Sequence, residues 1–181
     1  MNAGFAVSDL VLALVCAFVA WRAARERPGI ALACGTIGAA AFVGVMRFSG
    51  LEAATGAHKF LSLIGGVAAL PLLAASLAWP DAKAATNIRD ASLALLVCSA
   101  VGIALVAGAG FAIWGQAVPA ASVVAMLVCA IRERADGRVL GAAALLVTFY
   151  LVSANRTQIA GFAPIEVLHY GMAAGLLLLC L

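Results

Sequence analysis

The sequence is poor in charge. Only 10% of its 181 residues are Asp, Glu, Lys or Arg, while 66% are hydrophobic. A soluble domain carries about 25% charged residues and about 45–50% apolar ones, and a small domain has too much surface to hide such an excess from water. Lipid is therefore the solvent for most of this chain. The net charge of +3 is small and scattered, which argues against a nucleic-acid partner. No C-x-x-C pair occurs: Cys16, Cys34, Cys98, Cys129 and Cys180 all sit inside apolar segments. A disulfide framework or thiolate metal site is not indicated, and each thiol reads as a small buried hydrophobe. No internal repeat, linker or low-complexity tail divides the chain, so residues 1–181 are read as one domain.

What is present is a series of long apolar runs. A membrane helix needs about 20 mostly apolar residues, and segments 3–21, 29–48, 58–79, 91–109, 111–131, 138–154 and 164–181 meet that need approximately. The expected fold is an all-α integral membrane protein, a bundle of about seven transmembrane helices, with six as the alternative count. The fourth and fifth runs are separated only by Gly108-Ala109-Gly110. Together they are too long for one crossing, which favours two helices and a tight turn. Pro28-Gly29 and Trp79-Pro80-Asp81 mark other boundaries. Pro164 falls where a first-turn proline is tolerated. Pro71 and Pro119 lie within spans and are expected to kink them.

The first run lacks a positive charge ahead of its apolar core and is followed by Arg22, Arg25 and Arg27. It reads as a retained anchor rather than a cleaved signal. Loops after the first, third and fifth runs carry eight cations, against Arg47, Lys59 and Arg156 on the other side. The positive-inside bias places the N-terminus outside and the C-terminus in the cytoplasm. The Ala/Gly-rich composition points to a bacterial inner membrane as the location. Gly171-x-x-x-Gly175 offers a close-packing face in the last span.

Polar residues gather toward the outer leaflet: Asp9 in the first run, Arg47 ending the second, and His58 and Lys59 opening the third. Asn155 and Arg156 follow the sixth run, and Glu166 and His169 open the seventh. An ionisable group at membrane depth costs on the order of 3 kcal/mol, so such groups face the bundle interior and pair. Glu166 and His169, three apart, share a helix face. With Asp9 and His58 they make two carboxylates and two imidazoles, a donor set that suits zinc or iron with a place left for water. Zinc-bound water has its pKa lowered to about 7 and becomes a hydrolytic nucleophile.

Other assignments account for the same residues. Glu166 fits a first-turn carboxylate favoured by the helix dipole, and Asp9 could pair with Arg47. The cations Arg47, Lys59 and Arg156 suit anionic lipid headgroups. His58 and His169 could be axial ligands of a haem. A membrane protein without enzymatic activity, as a subunit of a larger complex or a homo-oligomer, is also compatible. Transport is less so, because no pair of broken helices occurs at matching positions in two halves.

Ser8-Asp9, the polar Arg47 and the run Glu166-x-x-His169-Tyr170 together resemble an uncharacterised family of bacterial seven-helix membrane proteins. That family is distantly similar to the superfamily of alkaline ceramidases and adiponectin-receptor-like proteins. The resemblance implies a zinc held by histidines and hydrolysis of a lipid amide or ester. Two positions depart from it: residue 173, four after His169, is Ala, and Arg47 stands where the resemblance favours a histidine.

Overall fold

The computed structural model describes residues 3–154 and 161–180. Asn155 and Arg156 lie outside the described residues. The long helices are α1 (Ala3–Ala23), α2 (Pro28–Phe48), α3 (Glu52–Ala78), α4 (Ile88–Gly108), α5 (Trp114–Arg132), α6 (Asp136–Ala154) and α7 (Pro164–Cys180). A short helix, Lys83–Thr86, precedes α4. Among the described residues there is no β-strand. Helices α1 to α5 are each long and apolar enough to cross a membrane, whereas α7 is a shorter apolar helix of 17 residues.

Local chemistry explains the boundaries. Pro28 opens α2 and Pro164 opens α7, in each case at a position whose N–H would have no partner within the helix. Asn87 caps α4 by accepting from the backbone N–H groups of Arg89 (2.8 Å) and Asp90 (3.4 Å). The expected break after α4 is a turn through residues 109–113, in which Gly110 takes a φ of 69° and Phe111 N–H donates to Leu105 C=O at 2.9 Å. Only glycine adopts that φ at little cost.

Pro71 does more than kink its span. It has no N–H to offer Val67 and would crowd that carbonyl, and α3 changes to π-helical winding over Gly65–Ala69, the turn just before it. Widening the helix there relieves the crowding, and it places Gly65 and Gly66 side by side on the inner wall.

Helices α1, α2, α3, α5, α6 and α7 form a closed ring, each packed against the next, with α7 returning to α1. Helix α4 stays outside it, against α2 and α3, with its buried Gly102 seated on Val67. The face of α4 turned away from the ring carries Leu93, Leu96, Val97 and Val101, all exposed. The small residues of α7 serve packing within the chain. A Cβ on Gly175 would lie 2.9 Å from the carbonyl oxygen of Gly141, and one on Gly141 would lie 2.8 Å from that of Gly175. Helices α6 and α7 thus meet backbone to backbone, and Gly171 seats the Thr148 side chain.

Candidate functional site

The ring encloses a cavity of about 260 Å³. All six ring helices contribute to its wall, for example through Leu12, Ile37, Gly66, Pro119, Phe149 and Met172, while α4 contributes nothing. The wall is mostly apolar. Its ionisable groups are Asp9 from α1, His58 from α3 and His169 from α7. Three of the four residues predicted as metal ligands are therefore brought to one chamber by three different helices.

Asp9 is fully buried, and His169 is 8% exposed. The Nδ1 of His169 lies 3.1 Å from Asp9 Oδ1 and 3.2 Å from Ser8 Oγ. Ser8 donates its single hydroxyl proton to the Phe5 carbonyl at 3.1 Å. Its Oγ can then only accept from His169, which puts the ring proton on Nδ1 and leaves Nε2 with a lone pair. With that N–H shared, neither Asp9 oxygen has a partner in hydrogen-bond geometry. The Asp9–His169 contact is close in distance but is not a formed hydrogen bond.

Ser8, His169 and Asp9 do not form a nucleophilic triad. Such a relay needs the serine on one ring nitrogen and the carboxylate on the other, whereas both groups here approach the same Nδ1.

His58 is half-buried and donates from Nδ1 to the Ala40 carbonyl at 3.1 Å. A carbonyl only accepts, so His58 also carries its proton on Nδ1 and keeps Nε2 free. His58 and Asp9 converge on Gly44 of α2. A Cβ there would collide with Asp9 Oδ2 and would lie 2.8 Å from His58 Cε1. Nothing larger than glycine fits without moving one of the two side chains. Pro119 adds to the same wall, because it has no N–H for the carbonyl of Gly115, one turn earlier and also lining the cavity.

Aromatic rings adjoin these groups. Phe5 and Phe48 meet edge to face at 5.1 Å between ring centroids, and Phe48 meets His58 the same way at 5.7 Å. Arg47 lies over the Phe48 ring, 4.8 Å from its centroid, in cation–π contact. Among the described residues Arg47 makes no ion pair, so the expected Asp9–Arg47 pair is replaced by Asp9 facing His169. Lys59 is exposed.

Glu166 is used elsewhere. Its Oε2 accepts from the Ala163 backbone N–H at 2.6 Å, and its Oε1 lies against Gly4 of α1. Counting Pro164 as the first helical residue, this is the third-position carboxylate reaching back to the cap. Among the described residues, no group of three or more His, Cys, Asp or Glu side chains is placed to hold one metal ion. The four-ligand set Asp9, His58, Glu166 and His169 is thus not assembled in this arrangement. Sequence inspection used Ser8 only in the resemblance, beside Asp9, and passed over Gly44 and Gly115, which carry no signal outside the fold.

No protein-family model, curated protein or solved structure matches this chain.

Proposed function

We propose that the chain is a seven-helix integral membrane protein of a bacterial inner membrane, with its N-terminus outside. Its central chamber admits the head of a lipid-like amphiphile. The observation that carries this is the fully buried Asp9 carboxylate, whose two oxygens have no hydrogen-bond partner in a chamber with apolar walls. A buried carboxylate left so is costly, and the neighbouring groups offer it little. Asp9 and the free Nε2 of each imidazole are all acceptors. The complementary ligand brings donors: an amine or hydroxyl head on a hydrocarbon tail. The chamber volume lies just under the usual range of small-molecule pockets, about 300–1,000 Å³, so it suits a head and the first part of a tail rather than a porphyrin between His58 and His169.

Thermal unfolding in a neutral detergent tests this directly. Octylamine is expected to raise the midpoint of the wild type but not of Asp9→Asn, whose amide supplies its own donors. Methyl octanoate, which only accepts, is expected to do nothing to either. Equal responses to the two probes would refute the proposal.

A metal-dependent lipid hydrolase is the second reading, and one feature favours it. Each histidine has its Nδ1 anchored, His58 on a backbone carbonyl and His169 beside Ser8 and Asp9. Metal-binding imidazoles are commonly oriented in this way. Because Glu166 is engaged at the helix cap and the donors do not converge, no hydrolytic step is derived from them. Elemental analysis of the purified protein decides the matter. About one zinc or iron per chain, lost in His169→Ala, would establish the metal; a folded wild type without one would leave the amphiphile site alone.

A further inference from the structure

A second cavity, of about 300 Å³, lies at the opposite end of α1. Its floor is dry, formed by Val19 and Ile30, each 2% exposed or less, together with Cys180. Arg22, Arg27 and Arg138 line it as well, and among the described residues Glu26 is the single carboxylate that does. Among the described residues Arg22 and Arg27 make no ion pair. Arg138 gives one N–H to Glu133 at 2.7 Å. A guanidinium has five N–H donors, so all three arginines keep donors to spare.

The start of α2 adds a separate indication. That helix has no side-chain cap, and its N-cap residue is the cation Arg27. The positive end of the helix dipole disfavours a cation there and favours an anion. Ile30, in the same first turn, lines the cavity. Three arginines and an uncapped helix start are thus gathered around one hollow, with one carboxylate among the described residues to offset them.

We propose that this hollow binds a phosphate group, by bidentate donation from Arg22, Arg27 and Arg138 and with the uncapped start of α2 behind it. Guanidinium forks match phosphate oxygens in geometry as well as charge. Basic pockets between membrane helices take anionic headgroups in this manner, and the apolar floor of Val19 and Ile30 suits the glycerol and ester carbons next to such a phosphate. The site is independent of the central chamber.

Native mass spectrometry of the detergent-purified protein provides the test, with phosphatidylglycerol and phosphatidylcholine as probes at matched concentration. The wild type is expected to bind phosphatidylglycerol at least fivefold more tightly than phosphatidylcholine. Arg27→Gln should reduce that preference at least fivefold, and Glu26→Gln should increase it; Arg47→Gln, at the other end of the bundle, should leave it unchanged. Protection of the wild type against thermal unfolding by glycerol phosphate or inorganic phosphate, to the same extent as by phosphatidylglycerol, would identify a free phosphate as the source. A response to the lipid alone would identify the headgroup. Equal binding of the two lipids with no protection by either phosphate, or an unchanged preference in both Arg27→Gln and Glu26→Gln, overturns the proposal.

Discussion

The two cavities stand roughly 20 Å apart along α1, the rise from Asp9 to Arg22, and their chemistry is opposite. The central chamber is walled mostly by hydrocarbon from six helices and presents acceptors: Asp9 and two imidazole nitrogens. The hollow at the arginine-rich end is lined by three arginines, which offer donors instead. Burial accounts for the contrast. Arginine is long and always charged, so it stays where its head can reach water or headgroups. A short aspartate cannot reach out from the second turn of a helix and has to be satisfied where it is. The same chain therefore holds a tightly constrained polar group at one end and a loosely constrained, solvent-facing cluster at the other.

That difference predicts unequal responses to mutation. The largest effect is expected from His169→Ala, which strips Asp9 of its neighbour and opens a void. Truncating a buried side chain of this size costs about 2–5 kcal/mol through the void it leaves, which should appear as a large loss of stability to denaturant in detergent. A loss under about 1 kcal/mol would mean that Asp9 does not depend on His169.

Next comes a matched pair on α2. Gly44→Ala forces a methyl against Asp9 Oδ2 and His58, an overpacking expected to cost about 1–3 kcal/mol. Gly35→Ala, with nothing within 4 Å of its added carbon, should instead gain about 0.5–1 kcal/mol from helix propensity. Two substitutions of the same kind in one helix should differ in sign, and losses of equal size would remove the case for a tight site at Gly44.

The smallest effect belongs to the arginine-rich end. Glu133→Gln removes the charge from a 2.7 Å contact to Arg138, but the two side chains are 39% and 31% exposed. Exposed pairs contribute about 0–1 kcal/mol, so stability should barely change. A loss above about 2 kcal/mol would show that this end is as constrained as the chamber.

Much of this was legible in the sequence, for reasons that are local. The helix boundaries at Pro28, Gly110 and Pro164 follow from a missing N–H and a positive φ, whereas the Asn87 cap of α4 was not read from the sequence. Glu166 at the third position after a first-turn proline likewise announced a cap, although its spacing to His169 drew it into a ligand set. The helix pairing is another matter. Arg47 lies near the end of α2 and was the natural partner for Asp9, yet it stacks on Phe48 while α7 brings His169 to that place.

The amino-acid sequence by itself determined that this chain forms helices long and apolar enough to cross a membrane, roughly where they break, and which polar residues its apolar runs hold. Hydropathy, caps and proline act over a few residues, so these follow from composition and spacing. Only the tertiary structure decided that α4 stands outside the ring, that Asp9, His58 and His169 share a chamber at Gly44, and that three arginines from separate segments surround one hollow. Those outcomes depend on which helix faces are complementary in shape. In lipid, where every apolar face is equally well solvated, close packing of small residues such as Gly44, Gly141 and Gly175 makes that choice.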